Sequence, residues 1–119
     1  MKKTLVLGAS IKPDRYSNLV IYSLVSGDNE VIGIGSRAGN VDGVEIHKGF
    51  PLIENIHTVT IYLNAKRQEM YYDYIIALRP RRVIFNPGTK NSSFEKLLEQ
   101  AGIFFESACT MVLLSTDQY

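Results

Sequence analysis

The sequence predicts an α/β fold, with one Rossmann-like, doubly wound, mainly parallel sheet and helices on both faces. Residues 1–119 read as one domain of that kind. Three observations carry the expectation. Short apolar runs at Thr4–Leu7, Thr58–Leu63 and Val83–Phe85 suit strands buried on both faces. Segments of helical period separate those runs, and such alternation implies right-handed crossovers between parallel strands. The first run also passes through a sharp turn at Gly8-Ala9-Ser10 straight into a helix, which is how nucleotide-binding α/β domains begin.

The elements follow in order. After the first strand, Tyr16 to Ser26 has helical spacing, with Tyr16, Leu19, Val20 and Leu24 on one face. Gly27 stands where a helix C′ glycine belongs. Glu30–Ile34 is a second strand that ends at Gly35-Ser36-Arg37. Residues 38–43 are turn-rich, Val44–His47 is a short strand and Pro51–Ile56 one helical turn. Thr58–Leu63 is a strong β-run, and Asn64 after it is placed to cap a helix over Lys66–Leu78, with Met70, Tyr74 and Leu78 at helical spacing. Pro80 halts that helix.

Val83–Phe85 precedes Asn86-Pro87-Gly88-Thr89, whose central Pro-Gly suits a type II turn. Ser92-x-x-Glu95 has the spacing of a capping box, and Phe94, Leu97, Leu98 and Ala101 form the apolar stripe behind it. Gly102 closes that helix. Ile103–Phe105 is the last strand, and Ser107–Ser115 is apolar without a decisive period.

The bulk properties bound the function. The 119 residues are 45% hydrophobic, with a formal net charge of +1. That balance gives no reason to expect nucleic acid or an anionic membrane as partner. One cysteine forms no internal disulfide and fits a reducing, cytoplasmic compartment. The opening apolar run is too short for a signal peptide, and no segment is long enough to span a bilayer.

In open parallel sheets ligands sit beyond the C-terminal strand ends. The residues that matter are therefore Gly8–Ser10, Ser36–Arg37, Leu63–Asn64 and Asn86–Thr89. A strand–helix turn collects backbone N–H groups and a helix N-terminus, which favours phosphate. Lys12 and Arg15 add positive charge beside it.

The dinucleotide fingerprint asks for Gly-x-Gly-x-x-Gly, but Ser10 and Pro13 stand at its second and third glycine positions. NAD sites also place an acid after the second strand, where this chain has Ser36-Arg37. Arginine cannot accept a ribose hydroxyl's hydrogen bond and attracts phosphate instead. That argues against NAD. It suits an adenosine with an additional ribose phosphate, as in NADP or coenzyme A.

Four blocks resemble the CoA-binding domain family of small Rossmann proteins, related to the CoA-binding domain of the succinyl-CoA synthetase α subunit. They are Gly8-Ala-Ser-x-Lys-Pro-x-Arg-Tyr-Ser17, Gly35-Ser-Arg-x-Gly39, Thr58-Val-Thr-Ile-Tyr-Leu-Asn64 and Arg82-Val-Ile-Phe-Asn-Pro-Gly88. A cysteine shortly after the last strand, Cys109, also looks like the family.

The resemblance implies coenzyme A or an acyl-CoA as ligand. Gly8, Ala9 and Ser10 would line its pyrophosphate, with Lys12, Arg15, Tyr16 and Ser17 beside them. Ser36 and Arg37 would meet the 3′-phosphoadenosine. Leu63 and Asn64 would border the adenine or pantetheine path, and Asn86, Pro87 and Gly88 would form the far wall. The chain lacks the synthetase's second domain, so thioester ligation is not implied.

Two further readings stand beside this one: an NADP-binding reductase and a CoA-sensing regulatory module. His47 and His57 lack metal-ligand spacing, and Cys109 among apolar residues reads as a buried thiol. Tyr71 and Tyr74 suit packing. Met111–Leu114 suits core or a subunit contact, which leaves a homo-oligomer or a protein partner open. No paired carboxylates, Ser-His-Asp order or metal cluster is evident.

Overall fold

The computed structural model describes residues 2–119. Its centre is β1 (Thr4–Leu7), fully buried as its apolar run requires. The chain continues through α1 (Tyr16–Ser26), β2 (Val31–Ile34), β3 (Gly39–Val41), β4 (Val44–His47) and β5 (Thr58–Ile61). Next come α2 (Ala65–Gln68), a 3₁₀ turn over Glu69–Tyr71 and α3 (Tyr72–Leu78). Then follow β6 (Arg82–Phe85), α4 (Ser92–Gln100), β7 (Phe104–Ser107) and α5 (Thr110–Ser115).

The seven strands form one sheet in the order β3-β4-β2-β1-β5-β6-β7. Every pairing is parallel except β3 with β4. The fold is thus α/β and Rossmann-like, as the alternation predicts, with one antiparallel edge. From β1 the chain winds to one side of the sheet, then crosses back to build the other. The switch in strand order therefore falls at β1, between β2 and β5. Leu7 aligns with Ile34 and Ile61, and Ile61 with Phe85, so these four strands end level and deliver their loops to one crest.

Alternation along β1 divides the core. Leu5 and Leu7 face Val59, Ile61, Ile75, Val83, Phe85, Phe94 and Leu98 on one side. Val6 faces Val20, Ile21, Leu24 and Ile46 on the other. On this second side Thr60 Oγ1 bonds Thr110 Oγ1 at 2.8 Å, joining the sheet to α5.

Several local expectations are corrected. Residues 38–43 contain β3, which pairs with β4 through a two-residue hairpin at Asp42-Gly43. Both residues have positive φ, 51° and 81°, so the Asp-Gly dipeptide was the hairpin signal. Pro51–Ile56 has no helical turn. There the Pro51 carbonyl accepts from the Tyr74 hydroxyl, and Asn55 is left-handed at φ 60°.

In α1 the buried face is Ser17, Val20, Ile21 and Leu24, while Tyr16 and Leu19 are exposed, because the first turn overhangs the crest rather than the core. Gly27 caps α1 with φ −86°, and Asp28 takes the left-handed position instead. The 3₁₀ turn shifts the phase of the next helical stretch, so Gln68, Tyr71 and Ile75 point inward and Met70 lies exposed. The capping box is replaced by Asn91, one residue earlier, whose Oδ1 accepts from the Phe94 N–H at 3.0 Å. The last strand runs over Phe104–Ser107, two residues beyond the expected end, and the ambiguous stretch after it becomes α5. Cys109, just before α5, is partly exposed rather than buried.

At the opposite end of the strands from the crest, His57 Nδ1 lies 2.8 Å from Thr58 Oγ1, which also accepts from the Arg82 guanidinium at 3.1 and 3.2 Å. With both lone pairs engaged, the Thr58 hydroxyl donates to Nδ1, which requires a neutral ring. Burial, with Arg82, Lys2 and Arg81 nearby, lowers the His57 pKa from 6.5. The folded state therefore resists a proton that the unfolded chain accepts, and stability is lost as pH falls below about 6.5. Denaturant melts between pH 7.5 and 5 should show that loss, and His57→Asn should flatten it. An unchanged slope in the variant overturns this assignment.

Candidate functional site

At the crest lies an open cleft of about 500 Å³. Gly8, Ala9 and Ser10 form its floor above β1. Lys12, Arg15, Tyr16 and Ser17 form the α1 wall, and Ser36 borders it after β2. Tyr62, Leu63, Asn64 and Arg67 line the side beyond β5, and Pro87, Gly88 and Thr89 close the side beyond β6. Of the fourteen residues expected at the site, two are absent from this lining. Arg37 is exposed on the β2–β3 loop beside Ser36, and Asn86 is buried beneath the cleft.

The floor is shaped by close backbone approach. Gly8 has φ +92°, and the N–H groups of Gly8 and Ala9 both bond to the Ile34 carbonyl, at 2.8 and 2.9 Å. Those two amides are engaged with β2, so the N–H groups left for an anion belong to the loop beyond Ala9 and to the helix start. The Asn18 amide holds the Ser10 carbonyl at 2.9 Å, and Ser10 Oγ accepts from the Lys12 N–H at 3.1 Å. Arg15 is the N-cap residue of α1, and no side chain among the described residues caps the helix. The N–H groups of Tyr16 and Ser17, its first two residues, thus remain for another partner.

A buried polar network holds the far walls. Gln68, fully buried, donates to the carbonyls of Leu63 and Thr89, both at 2.8 Å, and accepts from the Asn91 amide at 2.9 Å. It ties the loop after β5 to the loop after β6. Asn86 donates to Thr60 Oγ1 at 2.7 Å and to the Ile61 carbonyl at 2.9 Å, and accepts from the Thr110 N–H at 2.9 Å. It therefore supports the wall from below. Pro87-Gly88 makes the expected turn, with Gly88 at φ +87° and the Thr89 N–H bonding the Asn86 carbonyl at 3.1 Å. Asn64 caps α2 as its position suggests, its Oδ1 accepting from the Arg67 N–H at 3.0 Å.

The electrostatics are one-sided. Lys12, Arg15 and Arg67 line the cleft, and no carboxylate, histidine or cysteine does among the described residues. None of the three cations takes part in an ion pair among those residues. Burial pushes the Tyr62 phenol up to about 12, so it stays protonated at neutral pH. Sequence reasoning missed Tyr62 and Arg67, whereas Thr89 falls in the Asn86–Thr89 stretch it pointed to. Tyr62 adjoins Leu63 and Arg67 lies one helical turn beyond Asn64, and that proximity was the available signal. Gln68 had no such signal.

Fold and site together define a Rossmann-like α/β domain with a cationic cleft at the topological switch point. The chain belongs to the CoA binding domain family, which it matches over residues 2–115. Among solved structures it is similar to a protein described as uncharacterized, at 44% identity and TM-score 0.96, covering 100% of this chain and 98% of that one. It also resembles a hypothetical protein from Pyrococcus horikoshii OT3 at 24% identity and TM-score 0.88, covering 97% and 82% of the two chains. A protein from Thermus thermophilus matches at 22% identity and TM-score 0.88, covering 99% and 90%. These last two likenesses speak to the fold. A search of the curated proteins finds no match.

Proposed function

We propose that this protein binds coenzyme A or an acyl-CoA in the crest cleft, as a binding module rather than a catalyst. The observation that carries the reading is the α1 N-terminus, uncapped by any side chain among the described residues, beside cations that have no carboxylate partner among those residues. Such a site stabilises a diphosphate through free N–H groups, the helix dipole and direct charge. Family membership supports a CoA-type ligand. The adenosine would lie toward Ser36, with Arg37 beside it for the 3′-phosphate. The pantetheine would run past Leu63 and Asn64 toward Pro87 and Gly88. The ionisable groups of the lining are cations and tyrosines, which suit anion binding better than acid–base chemistry. A place in the cytoplasm and a CoA-sensing role toward a protein partner accord with this reading. No helix of the described residues is long and apolar enough to cross a membrane.

Titration calorimetry with CoA, 3′-dephospho-CoA and NADPH tests the proposal. CoA should bind, and more tightly than NADPH. Absence of CoA binding at millimolar concentration overturns the reading, and stronger NADPH binding would favour a reductase instead. Equal affinity for CoA and 3′-dephospho-CoA would remove only the role given to Arg37.

A further inference from the structure

We infer that Arg67 clamps the ligand's diphosphate from the wall opposite Lys12 and Arg15, and so is a main determinant of phosphate affinity in this cleft. The inference rests on the CoA reading and adds to it a residue on a different element.

Three observations support the clamp. Arg67 lines the cleft, whereas Arg37, the arginine the sequence singled out, does not. Arg67 is not part of an ion pair among the described residues. Its backbone is fixed on both sides. Asn64 caps its N–H, and the next residue, Gln68, is buried between the Leu63 and Thr89 carbonyls.

With Gln68 directed inward, helical geometry leaves Arg67 at the rim of the β5 wall. Lys12 and Arg15 approach from the α1 wall, so an anion above the α1 N-terminus lies between cations from two sides. A guanidinium offers paired N–H donors in a fixed planar fork that matches two phosphate oxygens, a geometry a lysine ammonium lacks. The geometry thus separates the two arginines. Arg67 serves the diphosphate common to CoA and dephospho-CoA, and Arg37 serves at most the outer ribose phosphate.

Calorimetry on the full chain tests this with Arg67→Gln and Arg37→Gln, using CoA, 3′-dephospho-CoA and inorganic pyrophosphate as probes. Arg67→Gln should weaken all three by about 10- to 100-fold, the range of a lost charge-assisted hydrogen-bond pair. Arg37→Gln should leave dephospho-CoA and pyrophosphate unchanged. If the parent binds CoA and Arg67→Gln binds all three probes equally well, the clamp is wrong and the CoA reading stands. A loss confined to CoA would assign Arg67 to the 3′-phosphate and also overturn the clamp. If the parent binds pyrophosphate through Arg67 but not CoA, the clamp stands and the CoA reading falls. If it binds none of the probes, both fall.

Discussion

Gly35→Ala is expected to unfold or severely destabilise the protein, by about 3 kcal/mol or more. A Cβ at Gly35 would sit 2.1 Å from the Ala9 carbonyl oxygen, far inside the roughly 3.5 Å of ordinary heavy-atom contact. The carbonyl has little room to retreat. Gly8 and Ala9 are held to Ile34, and the Gly35 N–H is held to the His47 carbonyl at 2.9 Å. Relief would have to come from moving the turn that floors the cleft, so ligand affinity should fall together with stability.

Gly33 provides the comparison. A Cβ there would meet the Ala9 side chain, at 2.9 Å from its Cβ. Ala9→Gly should therefore rescue Gly33→Ala in part, but not Gly35→Ala, whose obstacle is backbone. Chemical denaturation of the two single and two double variants checks this. Rescue of Gly35→Ala by Ala9→Gly, or a cost near zero, would refute the packing argument.

The second large effect is expected at Asn86. Asn86→Leu keeps the branching and heavy-atom count of the side chain but strands the Thr110 N–H and the Ile61 carbonyl in the core, and removes a partner of Thr60. Each unsatisfied buried group costs about 1–3 kcal/mol, so the total is about 3 kcal/mol or more. For a domain of this size the melting temperature should fall by roughly 10 °C or more. Because Asn86 lies below the cleft lining, ligand affinity measured well below the melting point should change much less than stability. A variant that keeps its stability but loses CoA would instead make Asn86 a contact residue.

Much of the fold was legible because its signals are local. The continuous apolar run at Thr4–Leu7 can be satisfied only by burial on both faces, and it is a fully buried strand. The β-run Thr58–Leu63 likewise gives a fully buried strand, which ends at Ile61. Asn64 and Pro87-Gly88 acted through a side-chain cap and a backbone preference that involve only their neighbours. Errors arose where a local rule had a rival. Ser92 and Asn91 are both good caps, and the Asn91 amide also reaches Gln68 and Tyr72 at 2.9 and 2.8 Å. Tyr16 and Leu19 fit a helical stripe, yet the helix sits so that Ser17 and Ile21 face inward instead.

By itself, then, the sequence determined the alternating α/β order, the strand–turn–helix at Gly8 and the basic flank of Lys12 and Arg15. Tertiary structure decided which loops meet, and with that the composition of the cleft. It brought Arg67 in, left Arg37 outside the lining and turned Gln68 and Asn86 into supports for its walls. It also set Gly35 so close to the Ala9 carbonyl, distant in the chain, that a Cβ has no room there. Periodicity and turn chemistry act over a few residues and can be read along the chain. Close approach, ion pairing and hydrogen-bond satisfaction depend on residues that only the sheet's strand order brings together.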